Sequence, residues 1–310
     1  MKLIRPFSLV AAGAALVLGL TACGGGGGSN DPLASGNSQA PAAADTVRIG
    51  SADFPENQVL AEIYAQALEA KGVKVERNFN IGSREVYFPA LTDGSIDLIP
   101  DYTGVLLQYI NKNATETQGD AVYAALQKAV PAPLTVLDKA AAENKDAVVV
   151  TGQYAQQHNL KNIGDLAPIA GQASFGGPSE FQTRPDGIPG IEKTYGVKFK
   201  EFKALDTGGP LTVAALKDGT IQAADLFTTD PTIEDSGFVV LGDPDNNFAA
   251  QNVVPLINSS KANDTVKQAL NAVQAKLTTE GLIELNRTLA GADKPDVGTV
   301  AKNWLAQQGL

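Results

Sequence analysis

The sequence predicts an α/β protein of two similar lobes facing one cleft. Three observations lead there: an internal echo, an alternation of strand and helix patterns around it, and a length of 310 residues, enough for two ordinary domains. The echo sets Ala90-Leu91-Thr92-Asp93-Gly94-Ser95-Ile96 against Ala215-Leu216-Lys217-Asp218-Gly219-Thr220-Ile221. A short apolar run follows each copy, then an aromatic residue and a threonine: Tyr102-Thr103 in the first, Phe227-Thr228 in the second. Asp-Gly suits the end of a helix, because glycine takes the left-handed conformation required just past it. A strand should come next, with the aromatic-Thr pair at its C-terminal end. Ligands of open α/β sheets lie beyond those ends, so each lobe should offer a ring and a hydroxyl to a shared cleft.

Residues 1–23 read as a removable leader, with Lys2 and Arg5 ahead of an apolar run over 7–20. The run is too short for a stable spanning helix and matches a secretory signal. It ends in Leu20-Thr21-Ala22-Cys23, which resembles the box of bacterial lipoproteins, where the cysteine receives a lipid and becomes the new N-terminus. Residues 24–45 (five glycines, then Ser, Asn, Pro and Ala) bury too little apolar surface to fold and should form a flexible tether. Leader, lipid and tether together place the folded body outside the cell membrane, held to its outer face.

Residues 46–50 read as the first strand. Asp53 is a candidate N-cap for the next helix, with Pro55 in the first turn and Glu56 three residues on in a capping-box pattern. Val59, Leu60, Ile63, Ala67 and Leu68 keep helical spacing, and Gly72 ends that helix. A second strand over 73–77, a Gly82-Ser83-Arg84 turn into a second helix, and a third strand over 96–99 complete a βαβαβ order, which argues for a mostly parallel sheet. A helix is expected over 118–129, a helical or mixed segment over 134–142, and a helix with a loop over 152–163. The run 147–150 should carry the chain into the second lobe. There, a strand leads into the loop Gly177-Pro178-Ser179-Glu180-Phe181, followed by a helix over 188–195, a strand over 199–202, the echo and a strand over 238–241. Residues 253–257 return the chain to the first lobe, and three helices close it. The first lobe thus takes 46–150 plus 250–310, and the second 151–249.

Composition excludes several chemistries. With 34 acidic against 24 basic residues the net charge is −10, and loss of the leader makes it two charges more negative. No basic stripe relieves that charge, so nucleic acid is not an expected partner. One cysteine and one histidine supply neither a disulfide nor a typical zinc site, and no Gly-x-Ser-x-Gly elbow occurs. No metal and no cofactor is expected. A two-lobed cleft can also serve a surface sensor or host catalysis, and besides Asp225 with Asp230 the carboxylates to consider are Asp97 and Asp101. Four residues apart on one strand they would stand ~13 Å apart, beyond the ~5–9.5 Å of a working carboxylate pair.

Four stretches carry a resemblance to the osmoprotectant-binding proteins of bacterial ABC importers, the glycine betaine/carnitine/choline class. They are Gly50-Ser51-Ala52-Asp53-Phe54-Pro55-Glu56, Ile96-Asp97-Leu98-Ile99-Pro100-Asp101-Tyr102-Thr103-Gly104, the loop from Gly177 through Arg184 to Gly187, and Thr228-Thr229-Asp230. The resemblance spans essentially the whole folded chain. It implies a two-lobed periplasmic-binding-protein fold (type II) with a hinge between lobes, no enzymatic chemistry, and an ABC permease and its ATPase as partners. A quaternary ammonium has no N–H to donate, so aromatic faces hold it at roughly 0.5–2 kcal/mol per ring. A carboxylate at its other end needs N–H or O–H donors. By the resemblance Tyr102 is the first ring, joined by Thr103, with Phe54, Tyr87, Phe181 and Phe227 as further rings. Ser51, Arg84, Arg184, Thr228 and Thr229 are candidate donors, and Asp53 and Asp230 candidate counter-charges. The set holds fewer tyrosines than the family's usual box, which leaves a larger aromatic or polyol ligand as the alternative.

Overall fold

The structure, a computed structural model, describes residues 46–310. The leader, Cys23 and the tether lie outside them. The chain opens with β1 (Thr46–Gly50), α1 (Pro55–Glu69), β2 (Lys74–Asn78), α2 (Arg84–Thr92) and β3 (Leu98–Tyr102), then α3 (Thr103–Ile110), α4 (Gly119–Ala129) and β4 (Leu134–Val136). It crosses near Asn144 into β5 (Asp146–Thr151), α5 (Gly152–His158), β6 (Ser174–Gly177), α6 (Ile188–Tyr195), β7 (Glu201–Ala204), α7 (Pro210–Lys217), β8 (Ala223–Phe227), α8 (Thr232–Asp235) and β9 (Phe238–Val240). It then returns through β10 (Val253–Asn258) to α9 (Asp264–Gln274), α10 (Thr279–Ala290) and α11 (Val297–Gln308). Two five-stranded sheets result, ordered β2-β1-β3-β10-β4 and β7-β6-β8-β5-β9.

Each sheet repeats one plan. In the first, β1 runs parallel to β2 and β3, and the returning β10 is antiparallel to β3. In the second, β6 runs parallel to β7 and β8, and the entering β5 is antiparallel to β8. The parallel strands therefore end on the same side of each sheet, and there the chain places the echo's aromatic residues, Tyr102 ending β3 and Phe227 ending β8. Both helices that precede these strands stop as their sequences require: Gly94 and Gly219 sit at φ +79° and +78°, past the ends of α2 and α7.

The cores follow from period and burial. Val47 and Ile49 alternate onto the buried face of β1, where α1 packs through Leu60, Ile63 and Tyr64, all fully buried. The Tyr64 hydroxyl donates to Gln274 Oε1 of α9 at 2.9 Å, which satisfies the one polar atom this ring carries into the core. Trp304 of α11 packs into the same core. The second lobe is built around an aromatic stack, Phe175 on Phe181 at 5.4 Å with planes 4° apart and Phe248 beyond at 6.3 Å.

Three sequence expectations change. β3 starts at Leu98 rather than at residue 96: Asp97, just before it, keeps backbone bonds to Arg48 O and Asn258 N, but its carboxylate takes the Arg48 N–H at 2.9 Å and the guanidinium at 3.0 Å from Nε and from Nη2. The segment 134–142 is a three-residue strand followed by irregular chain, since β10 offers an open edge that Leu134–Val136 fills. Residues 146–150, placed in the first lobe by the sequence, pair in the second sheet with β8 and β9. The crossover thus lies around Asn144, a few residues earlier than expected. Beside it the second crossing passes through Gln251, whose carbonyl accepts from Asn144 N at 3.1 Å and whose Nε2 donates to Asp146 Oδ2 at 2.9 Å.

Candidate functional site

The loop after β1 brings Phe54 to the start of α1, where Pro55 sets the first turn and Phe54 itself is extended at φ −125°. From there its ring reaches both echo aromatics. The centroid of Phe54 lies 6.1 Å from Tyr102, with planes 29° apart, and 5.3 Å from Phe227 of the second lobe. Phe54 and Phe227 are half-buried and line two cavities at once. The smaller, about 50 Å³, is also lined by Tyr87, Tyr102, Arg84, Arg184 and Asp146. The larger, about 620 Å³, has Val213 and Ala214 of α7 and Leu289 and Ala290 of α10 in its wall, together with Asp53, Glu56, Thr229 and Asp230.

Charge is arranged tightly around the smaller cavity. Asp101 is fully buried and accepts from Arg84 Nη2 at 2.6 Å and from the Tyr87 hydroxyl at 2.9 Å. Burial alone would lower the pKa of Arg84, but the charge of Asp101 reverses this and holds it above its ordinary value. Arg184 of the second lobe reaches across to Glu85 of α2, at 3.1 and 3.2 Å, and so bridges the lobes. Burial opposes ionisation of Glu85, yet the Arg184 hydrogen bond and charge bring its pKa down to about 2. The second lobe contributes three buried carboxylates, Asp146, Asp186 and Asp225. Burial, then the charge of Asp146, pushes Asp186 up to about 6 and Asp225 well above the carboxylate range. Asp225 Oδ1 is buried without a hydrogen-bond partner, which fits a carboxyl that keeps its proton.

Glu56 is the residue that sequence reasoning misassigned. It does not close a capping box, since α1 has no side-chain cap and Asp53 is exposed. Its buried carboxylate instead accepts from the Tyr102 hydroxyl at 2.6 Å, Asn144 Nδ2 at 2.8 Å, the Thr229 hydroxyl at 2.6 Å and Asn286 Nδ2 at 2.7 Å. The signal available was its place in the Phe54-Pro55-Glu56 stretch. The partners are 46 to 230 residues away in sequence, and no local pattern reports them.

The cavities gather Asp53, Phe54, Arg84, Tyr87, Tyr102, Arg184, Phe227, Thr229 and Asp230 from the sequence-derived set. Four others stand apart from both. Ser51 is buried under the loop, accepting from Asn80 N at 2.8 Å and donating to Ala52 O. Thr103 Oγ1 accepts from Asn252 N at 3.0 Å and secures the second crossing. Phe181 lies in the aromatic core of the second lobe. Thr228 Oγ1 accepts from Lys145 N at 2.9 Å at the first crossing. Arg184 pairs with Glu85 and Glu180 rather than with Asp186. Asp230 caps the turn at Thr232, accepting from its N–H and hydroxyl at 2.8 and 2.7 Å. The sequence singled out neither Asn144 nor Asn286. Among the described residues no group of three or more His, Cys, Asp or Glu is arranged to hold a metal ion.

Two α/β lobes joined by paired crossings, with rings at the strand ends of both, define the architecture of the periplasmic-type substrate-binding proteins. Residues 45–307 match the substrate-binding domain of ABC-type glycine betaine transport systems, and the chain belongs to that family. The glycine betaine-binding protein YehZ of Escherichia coli is 27% identical over 281 residues, spanning 86% of this chain and 92% of that protein. The carnitine transport binding protein OpuCC of Listeria monocytogenes is 26% identical over 269 residues, spanning 84% and 86% respectively. The fold also matches a crystal structure of a glycine betaine/carnitine/choline ABC transporter, with a TM-score of 0.67 at 23% identity, covering 85% of this chain and 98% of that one.

Proposed function

We propose that this chain captures a small quaternary ammonium osmoprotectant of the glycine betaine, carnitine or choline type between its lobes, and delivers it to an ABC permease and its ATPase. A lipid on Cys23 holds it to the outer face of the cell membrane, and it performs no chemistry on its cargo. One observation carries the ligand reading: Phe54 and Tyr102 of the first lobe and Phe227 of the second meet at the same cavity. A cation without N–H groups is recognised by ring faces, and rings drawn from both lobes bind it only when the lobes are together. Arg84 and Arg184 lie beside these rings and suit the carboxylate of a zwitterion.

The larger cavity favours a second reading, in which the same transport role serves a bulkier aromatic or polyol solute, since its volume falls in the usual ligand-pocket range. Calorimetric titration of the purified chain with glycine betaine, carnitine, choline and proline betaine separates the two. The first reading expects roughly micromolar binding of at least one, and Tyr102→Ala weakening it tenfold or more, about 1.4 kcal/mol. Failure of all four at millimolar concentration contradicts it.

A further inference from the structure

The carboxylate of Glu56, at the wall of the larger cavity, has an arrangement that helix capping does not explain. It is buried, and each of its oxygens accepts two short hydrogen bonds: Tyr102 and Asn144 on Oε1, Thr229 and Asn286 on Oε2. The four donors come from four places in the fold: the end of β3, the first crossing, the loop after β8 in the second lobe, and α10. Asn286 Nδ2 also reaches Thr229 O and Thr229 Oγ1, each at 3.1 Å, so Thr229 is seated from two sides.

We propose that Glu56 is a positioning residue that ties the orientation and polarity of the Tyr102 ring to closure of the lobes. The inference rests on the quaternary ammonium reading above. A phenol donating to a carboxylate makes a short, charge-assisted hydrogen bond. The bond draws electron density into the ring and strengthens the quadrupole that attracts a cation. On its other oxygen the same carboxylate holds the hydroxyl of Thr229, which the second lobe carries. Parting the lobes withdraws Thr229 and takes one charge-assisted donor from Glu56, so the carboxylate favours the closed arrangement. One side chain thus serves both the ring that meets the ligand and the contact that keeps the ligand enclosed.

The experiment uses the full chain with choline and its uncharged carbon isostere, in which a quaternary carbon replaces the nitrogen. Calorimetry gives affinities, stopped flow gives rates, and small-angle scattering reports closure without ligand. Thr229→Val should raise the choline dissociation rate about fivefold or more, leave association within about twofold, weaken both ligands alike, and enlarge the ligand-free radius of gyration. Thr229→Ser, which keeps the hydroxyl, should restore the rate and the radius. Glu56→Gln should weaken choline about tenfold or more beyond whatever it costs the isostere. Equal behaviour of the Val and Ser variants overturns the closure role, and equal loss of both ligands in Glu56→Gln overturns the ring role. Should the unaltered chain bind no choline, the ligand reading fails, and the radius of gyration of the Val and Ser variants still decides the closure role.

Discussion

At the scale of single residues, burial decides what each polar group does. Tyr102 and Tyr87 both lie in the cavity wall, and both send their hydroxyls to buried carboxylates, Glu56 and Asp101. Burial and then the Glu56 charge raise the pKa of Tyr102, and burial raises that of Tyr87, so both phenols stay neutral donors. Asp186 and Asp225 of the second lobe behave oppositely to paired carboxylates. Asp186 titrates near 6 instead of near 3.8, so the folded state holds a proton that the unfolded chain has released. That contribution to stability is complete below the unfolded pKa and is lost as pH rises through about 6. The chain should therefore gain of order 1 kcal/mol from this group between pH 7 and pH 5. Carboxylates pulled downward, Glu85 among them, titrate below that window. Thermal melts should show Tm rising on mild acidification, and Asp186→Asn should flatten the rise. A Tm that falls steadily from pH 7 to 5 in both chains contradicts this account.

At the scale of elements, the two echo helices carry their own stop signals. Gly94 and Gly219 meet nothing within 4 Å where a Cβ would sit, so alanine there costs only the left-handed backbone conformation. Gly94→Ala and Gly219→Ala should each destabilise by ~1–2 kcal/mol, read as a lower urea midpoint with an unchanged slope. An effect below a few tenths would mean these turns are not held in the left-handed region. The strand-helix order was legible because period and punctuation are local: β1 lies where its alternation put it, and Tyr102 and Phe227 end their strands as the echo implied. The errors have non-local causes. Leu134–Val136 became a strand because β10 offers an edge, and Asp146–Thr151 joined the second sheet because β8 and β9 flank it. Part of the cavity wall was readable for the same reason, since Phe54, Arg84 and Tyr102 sit at strand ends or first helical turns. Phe181 went astray because a ring in a Gly-Pro-Ser loop looks exposed, whereas Phe175 and Phe248 enclose it. Glu56 was taken for a cap because its four partners are assembled only by the tertiary fold.

At the scale of the whole molecule, contacts between the lobes among the described residues include Phe54 with Phe227, Glu56 and Asn286 with Thr229, Glu85 with Arg184, and Arg287 of α10 with Glu234 of α8 at 3.2 Å. The Glu85–Arg184 bridge is fully ionised above the ordinary carboxylate range and is lost only as pH falls through about 2, so it holds across physiological pH. Such a set suits closure around a small solute: each contact is individually modest, and a ligand touching both halves adds the remainder. Choline and its uncharged carbon isostere have nearly the same shape, so comparing their affinities for the unaltered chain isolates the attraction of the rings for charge. If rings from both lobes enclose a cation, choline binds at least about tenfold tighter, the share expected from two or more desolvated ring contacts; equal affinities would contradict it.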